Sequence, residues 1–271
     1  MVGSGAALSA CAKAVPGTPR AARSGPARPT SSRRPAPRRI RLGTQKGQPH
    51  AVEVVRAVVD ELGIDQVEVL ELEFGALFPA LQAKRVDLAG ILYPGQVSCG
   101  SLVWSAPDHV GLCALAVPVG NPKGFKTIAD AVGAGAKIAV MKDLPEHKFV
   151  IRTKVPAGQV LAIPGPVEML KAVERGEAAC AAFSDIGLRS LAKADLAEVE
   201  VTAPFTLEGE PPVAGAYAFG SDVDKELVAG FDKELRSLQS SGRWLKLAEP
   251  SGFIKENLPP ADLRTEDLCA R

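Results

Sequence analysis

The chain has 271 residues, of which 46% are hydrophobic, and its formal net charge is +1. This length and apolar fraction suit two modest lobes or one large domain, and the near-neutral charge argues against a general nucleic-acid binder. The charge is unevenly spread, because residues 1–39 contain eight Lys or Arg residues and no Asp or Glu. The rest of the chain is therefore acidic on balance. No apolar run approaches the roughly 20 residues that a membrane-spanning helix needs.

Residues 1–39 are predicted to be a basic tail outside the fold. They are mostly Ala, Pro, Arg, Ser and Gly, and such a segment cannot bury enough apolar surface to offset its ordering entropy. The run Leu8-Ser9-Ala10-Cys11 resembles the end of a bacterial lipoprotein signal, with Cys11 as the lipidation candidate. The apolar stretch before it is shorter than the roughly 7–15 residues of a secretory signal. We therefore expect a truncated or mis-called signal and a tether. A chance match and DNA read in a wrong frame are the alternatives.

The remaining residues alternate between short apolar strands and amphipathic helices, which predicts a parallel, doubly wound α/β architecture. Strands are predicted at 39–42, 67–72, 87–92, 110–119, 137–141, 159–163, 178–183, 198–203 and 215–219. Helices are predicted at 51–62, 74–84, 127–132, 146–154, 166–175, 186–193 and 223–240, with 244–248 extending the last one.

One pattern occurs twice. Residues 76–91 and 167–183 each read as a helix, a turn and a short buried strand, which is half of a βαβ unit. Two copies suggest two α/β lobes with a ligand cleft between them, although any α/β protein repeats this pattern. We expect lobe one to span 40–116, lobe two 117–214 and a return segment of lobe one 215–271. The apolar strands at 112–119 and 213–220 would form a two-strand hinge.

Several segments resemble the type II solute-binding proteins (family 3) of ABC importers, and most of all the members that bind ectoine and hydroxyectoine. The similarity covers about residues 47–271. It rests on the order and spacing of short motifs at residues 73–77, 79–83, 87–88, 104–108, 117–124, 216–219, 242–245, 250–253, 258–260 and 268–270.

The resemblance implies a two-lobed periplasmic-binding-protein fold whose lobes close on one small solute before docking on a membrane permease. An ectoine-like zwitterion carries a delocalised cation and a carboxylate, so its site needs aromatic faces and strong hydrogen-bond donors. We expect an extracytoplasmic monomer, in the periplasm or on the cell surface as a lipoprotein, with no cofactor and no nucleic-acid partner. A polar amino acid is the alternative ligand.

The resemblance places Phe74 and Tyr93 among the family's aromatic ligand residues, with ordinary packing as the alternative for each. Four ligand-shell features depart from the family. Ser98 stands where the family has Arg, and a serine cannot clamp a carboxylate bidentately. Residues 44–48 lack the family's aromatic tract, Lys142-Asp143 replaces a Ser-Gly turn, and Ala179 replaces an Asp. The protein therefore binds another solute, binds weakly, or is a divergent copy with an eroded site.

Four residues in the second lobe are predicted at strand ends facing the cleft, where open α/β sheets bind ligands. They are Lys142, Asp143, Ser184 and Asp185. Helix capping is the alternative role for Ser184 and Asp185.

The resemblance pairs Cys99 with Cys269 as a disulfide, with two free thiols as the alternative. Cys113 and Cys180 lie in apolar strands and are expected to be buried. No spacing of Cys and His residues predicts a metal site.

We expect no enzymatic activity. The three histidines stand apart in the sequence, and neither a GxSxG nor an HExxH motif is present. A dehydratase or transglycosylase of this bilobal fold is the less favoured alternative, with Glu146 or Asp143 as its carboxylate.

Overall fold

The computed structural model describes residues 38–94, 99–142, 144–192, 198–209 and 213–269, which belong to one compact unit covering 37–271. Its strands are β1 (Arg39–Gln45), β2 (Gln66–Leu72), β3 (Leu88–Leu92), β4 (Leu102–Gly111), β5 (Cys113–Pro118), β6 (Ile138–Met141), β7 (Val160–Ile163), β8 (Cys180–Ser184), β9 (Val199–Val201) and β10 (Val213–Gly220). Its α-helices are α1 (Pro49–Glu61), α2 (Phe74–Gln82), α3 (Ile128–Gly133), α4 (Pro145–Arg152), α5 (Pro166–Glu174), α6 (Asp185–Ala192), α7 (Lys225–Ser240), α8 (Arg243–Ala248) and α9 (Thr265–Cys269). The tail at 1–37 and Cys11 lie outside the described residues.

The strands form two five-stranded sheets. The first sheet has the order β2-β1-β3-β10-β4, in which β1 pairs parallel with β2 and β3, while β10 is antiparallel to β3 and β4. The second sheet has the order β7-β6-β8-β5-β9, with β6 parallel to β7 and β8, and β5 antiparallel to β8 and β9. Both sheets are therefore mixed, whereas the alternation of elements predicted parallel ones.

Each sheet is covered on both faces. In the first sheet, α1, α7 and α8 pack on one face and α2 packs on the other. In the second sheet, α3 and α4 contribute to one apolar cluster and α5 and α6 to the other. The helical spacing of the valines in α1 explains its buried face, because Val54, Val55, Val58 and Val59 all point into the core. Gly63, just beyond this helix, has a left-handed φ of 69° that glycine adopts at no steric cost.

The repeated pattern is the same supersecondary unit in each sheet. In the first, α2 leads into β3, which pairs parallel with β1. In the second, α5 leads into β8, which pairs parallel with β6. The two copies therefore build equivalent parts of two α/β lobes. The fold is the two-lobed α/β arrangement that the sequence predicted.

The chain crosses between the sheets twice. The first crossing is at Leu112, between the last residue of β4 and the first residue of β5. The second lies between Phe205, which bridges to Cys113 in the second sheet, and Val213, which pairs with Gly111 in the first. The single strand predicted at 110–119 is thus two strands in two sheets. The exact lobe boundaries stay a prediction.

Two further sequence predictions are corrected. The prediction missed most of β4, because the central residues of this strand include Ser105, Pro107 and Asp108 and show no apolar alternation. The residues 244–248 do not extend α7. Gly242 adopts φ 74° and starts a separate helix, α8, whose Trp244 is fully buried.

Candidate functional site

The carboxyl ends of the parallel strands lie beside the two chain crossings. In the second sheet, Ser184 at the end of β8 pairs with Cys113, directly after the crossing residue Leu112. In the first sheet, Leu92 at the end of β3 pairs with Ala216 of β10, next to the return crossing. Ligands of open α/β sheets bind beyond the carboxyl ends of strands. We define the candidate cleft as this pair of strand edges on either side of Leu112.

Near the carboxyl end of β1, the first lobe has two buried polar atoms, in Thr44 and Gln48, that lack a partner within the described residues. Thr44 is the second-to-last residue of β1 and is 1% exposed, and its Oγ1 has no hydrogen-bond partner among the described residues. Gln48 caps the start of α1, and its Nε2 donates to Gln45 Oε1 at 3.1 Å while its own Oε1 is unpaired. A buried polar atom without a partner is costly. Both atoms are therefore candidates to meet a solute, and sequence reasoning missed them because it looked for aromatic residues at 44–48.

The two predicted aromatic ligand residues of the first lobe differ in exposure. Phe74 is the first residue of α2 and is 37% exposed, so its ring is available to a ligand. Tyr93 follows β3 and is half-buried, with its ring edge-on to His109 at a centroid distance of 6.2 Å. Burial raises the pKa of Tyr93, and the charge of Asp108 adds to this. Tyr93 is therefore a neutral hydrogen-bond donor at physiological pH.

Among the predicted polar ligand residues, Ser98 and Asp143 lie outside the described residues. Lys142 is exposed in the turn after β6, where its backbone N–H donates to Ile163 O at 3.3 Å and its ammonium group faces solvent. Ser184 is the last residue of β8, and its Oγ accepts from Gly187 N at 3.4 Å. This contact favours the capping role for Ser184, whereas Lys142 has a side chain free to approach an anionic group.

Asp185 has a carboxylate that the protein itself surrounds. It is fully buried at the start of α6. Its Oδ1 accepts from the backbone N–H of Leu112 at 3.2 Å, and its Oδ2 accepts from Arg189 at 2.9 Å and from Asn257 Nδ2 at 3.0 Å. These partners come from the first crossing, from α6 and from the C-terminal segment, which we define as residues 249–269 after α8. The geometry favours a structural role at the crossing over contact with a solute.

A disulfide joins Cys99 to Cys269, with a Cα–Cα distance of 5.7 Å. It ties α9, at the end of the described chain, to the segment that precedes β4. Cys113 and Cys180 are free and buried. Burial raises the pKa of Cys180 to about 12, so this thiol stays protonated and unreactive.

Glu146, the carboxylate considered for an enzyme, is buried in the first turn of α4. Burial raises the pKa of the Glu146 carboxyl group. A hydrogen bond that the carboxylate accepts from its own backbone N–H partly offsets this rise. The charge of Glu146 contributes to the raised pKa of the buried Cys113 thiol, which places the carboxyl group against the core of the second sheet. The prediction of a catalytic carboxylate gains nothing from this environment.

Two cavities lie away from the candidate cleft. One, of about 490 Å³, is lined by Pro118, Lys137 and Ala179, at the carboxyl end of β5 and the amino ends of β6 and β8. The other, of about 410 Å³, is lined by Arg39, Arg41 and Asp87 near the amino ends of β1 and β3. Both cavities therefore lie at the amino ends of the parallel strands, whereas the candidate cleft is at the carboxyl ends. Within the described residues, no helix is both long enough and apolar enough to cross a membrane.

No protein-family model matches the sequence, and no curated protein matches it. Solved structures do resemble it. EhuB in complex with hydroxyectoine is 28% identical, with 85% of this chain and 94% of that chain covered and a TM-score of 0.56. The L-cystine solute receptor of Neisseria gonorrhoeae, in its unliganded open conformation, is 21% identical, with 81% and 94% covered and a TM-score of 0.66.

A third similar structure has a different role. It is a histidine kinase sensor domain with similarity to periplasmic binding proteins, 20% identical, with 80% of this chain and 96% of that chain covered and a TM-score of 0.54. The architecture is therefore the two-lobed periplasmic-binding-protein fold. The similarity to EhuB over most of both chains supports a general solute-binding role.

Proposed function

We propose that this protein is the extracytoplasmic solute-binding protein of an ABC importer and captures a small zwitterionic solute, of the ectoine or hydroxyectoine type, between its lobes. The observation that carries the proposal is the 28% identity to the hydroxyectoine complex of EhuB across 85% of this chain, on a shared two-lobed fold. The closed form would then dock on a membrane permease. A monomer suffices for this role, since each chain contains both lobes.

The chemistry of the candidate cleft is compatible with a zwitterion. The exposed ring of Phe74 offers a π-face to a delocalised cation, as neutral Tyr93 also does. The ammonium group of Lys142 offers a positive charge to a carboxylate, although as a point charge and not as a bidentate clamp. The unpaired Thr44 hydroxyl and Gln48 amide oxygen add one donor and one acceptor at the end of β1.

Binding would couple to closure through the two crossings. The only backbone links between the sheets in the described chain run through Leu112 and through the segment after Phe205. Rotation about two neighbouring links changes the separation of the strand edges while each lobe stays rigid. A solute held by groups from both edges favours the closed form by its differential affinity.

A thermal-shift screen of the full chain against ectoine, hydroxyectoine, betaines and the amino acids tests the proposal. A ligand at a hundred times its dissociation constant adds about 2.7 kcal/mol of stability. A shift with ectoines, with a 1:1 stoichiometry by calorimetry, supports the proposed solute. A shift only with a polar amino acid reassigns the ligand within the same class. Cooperative unfolding with no shift from any solute contradicts a working binding site.

A matched pair of variants locates the site. Phe74→Ala removes the exposed ring at the candidate cleft, and we expect it to weaken binding at least about tenfold, because a cation–π contact contributes about 2 kcal/mol or more when a bound solute desolvates it. Ile151→Ala removes another exposed apolar side chain, near the end of α4, and is expected to leave binding unchanged. Equal affinities for the two variants would exclude Phe74 from the site.

A further inference from the structure

A cluster of titratable side chains lies inside the first lobe, close to the first crossing. His50 is the second residue of α1, and Asp108 and His109 are consecutive residues of β4. All three are buried, with exposures of 5%, 0% and 2%. Sequence reasoning missed the cluster because α1 and β4 are far apart in the chain. The available signal was the pair Asp108-His109 directly before the predicted apolar strand at 110–119.

The two oxygens of the Asp108 carboxylate face different partners. Its Oδ1 accepts from Trp244 Nε1 at 2.9 Å and from the Tyr217 hydroxyl at 3.4 Å. Its Oδ2 lies 3.0 Å from His109 Nδ1 and 3.9 Å from His50 Nε2. Trp244 and Tyr217 thus fix the carboxylate from one side. The other oxygen is presented to both imidazole rings.

His50 has a nitrogen without a partner. Its Nε2 is buried, and among the described residues no group forms a hydrogen bond with it. A metal ion binds the lone-pair nitrogen of a neutral imidazole. A buried ring nitrogen without a partner is therefore available as a ligand.

We propose that His50, Asp108 and His109 form a binding site for one divalent transition-metal ion of the Zn²⁺ type. One nitrogen from each histidine and one carboxylate oxygen lie within 4.8 Å of one another. Zinc takes His nitrogen and carboxylate oxygen at about 2.0–2.2 Å in a tetrahedral arrangement, so two ligand atoms of one ion lie about 3.4 Å apart. The distances of 3.0 Å and 3.9 Å from Asp108 Oδ2 lie on either side of this value, so small side-chain shifts would complete the site.

The surroundings match what a metal site requires beyond its ligands. Hydrogen bonds from outside the first coordination shell orient ligating carboxylates, and Trp244 and Tyr217 supply them here. The ring of Phe253 lies 4.2 Å from the His50 ring and 5.0 Å from the His109 ring, which shields the cluster from water. Two nitrogen ligands and one oxygen ligand select a first-row transition ion over Mg²⁺ or Ca²⁺.

The ion would connect elements that the fold otherwise only packs together. It would join α1 to β4 three residues before the crossing at Leu112. If Zn²⁺ binds at His109 Nδ1, the neutral ring must be the Nε2–H tautomer, so its proton moves from Nδ1 to Nε2 and the Nδ1 lone pair is given to the ion in place of the contact with Asp108 Oδ2. The three residues adjoin the candidate solute cleft, since His109 contacts Tyr93, but none of them is a proposed solute ligand. Zinc binding can therefore be tested whether or not a solute is found.

Zinc titration of the untagged full chain tests the site, with Cys11→Ser in every sample to remove a competing thiol. After chelator treatment, we expect 1:1 binding of Zn²⁺ by calorimetry, a rise in the melting temperature, and no such effects with Mg²⁺. His50→Gln should weaken Zn²⁺ binding by at least about tenfold. His147→Gln, which alters the third histidine of the chain, should leave binding unchanged.

X-ray absorption of the zinc-loaded Cys11→Ser protein, with His50 intact, keeps the test decisive if His50→Gln does not fold. Two imidazole ligands and one carboxylate in the zinc shell would agree with the proposal. Absence of 1:1 binding by the folded Cys11→Ser protein would overturn it, as would zinc coordinated by sulfur. Equal zinc affinities of His50→Gln and His147→Gln would also overturn it.

Discussion

At the scale of single residues, Asp185 shows how a polar side chain can stabilise the crossing between lobes. Its buried carboxylate accepts from Leu112, Arg189 and Asn257 at 2.9–3.2 Å. Removing one partner of a buried ion pair leaves the other charge uncompensated and costs about 3–5 kcal/mol. We expect Asp185→Asn to lower the free energy of unfolding by about 3 kcal/mol, measured by urea denaturation.

Asp222→Asn is the control for Asp185→Asn. Asp222 pairs with Lys84, but both side chains are largely exposed to solvent, so this substitution should change stability little. Similar losses in the two variants would mean that the buried contacts of Asp185 do not stabilise the fold.

Glu146 gives a pH prediction. Burial raises its folded-state pKa above the unfolded value, so the native state binds more protons than the unfolded state between these two pKa values. The free energy of unfolding therefore falls as pH rises through this window. Glu146→Gln removes the ionisation penalty, and we expect it to be more stable than the wild type at pH 7 and similar at pH 4. Thermal unfolding across pH checks this.

The exposed Glu174→Gln in α5 serves as the control for Glu146→Gln. It should leave the pH dependence of stability as in the wild type. A wild-type protein that is more stable than Glu146→Gln at pH 7 would contradict the raised pKa.

At the scale of elements, Gly252 sets the contact between the C-terminal segment and α6. Its φ is 94°, and a Cβ there would lie 2.8 Å from Ile186 O and 3.0 Å from Ser190 N. Gly124 has a φ of 65° with open space around it. Alanine at either position is strained by the left-handed backbone. The difference between the two losses of stability therefore reports the close contact of Gly252 with α6. We expect Gly252→Ala to cost about 1–3 kcal/mol more than Gly124→Ala in chemical unfolding.

An equal cost for the two glycine variants would show that the C-terminal segment moves away from α6 easily.

The elements with local signals could be predicted from the sequence, and those set by long-range pairing could not. The helix starting after Thr127 was found because a threonine at the N-cap is a local signal. The structure adds Asp130, which completes a capping box with Thr127. The helical spacing of α7 predicts an inward face of Leu227, Phe231, Leu235 and Leu238. The last three are buried and Leu227 is half-buried. The antiparallel placement of β10 and the split at Leu112 depend on pairing between distant strands, for which the sequence carries no local signal.

The candidate site was predicted less well than the fold. Phe74 and Tyr93 came from the resemblance and stay predictions, since no contact with a solute tests them. Thr44 and Gln48 are notable only because their buried oxygen atoms lack hydrogen-bond partners among the described residues. Such partners depend on the folded structure and leave no signal in the sequence. Ser184 and Asp185 were chosen for their position at a strand end, where capping and cross-lobe contacts compete with ligand binding for the same side chains.

At the scale of the whole molecule, two lobes with two adjacent crossings should change shape when a solute binds. We expect the radius of gyration, measured by small-angle scattering, to fall when the solute found by thermal shift is added. A solute that gives no thermal shift should leave the radius unchanged. Tight binding with no change in radius would mean that the lobes already hold their bound arrangement.

The disulfide between Cys99 and Cys269 has a consequence for degradation. The two cysteines are 170 residues apart, and both crossings and the whole second sheet lie between them. A protease that cuts once inside this loop therefore releases no fragment, because both pieces remain covalently attached. Such nicked protein should migrate as a single species in a denaturing gel without reductant and separate into two bands once the sample is reduced.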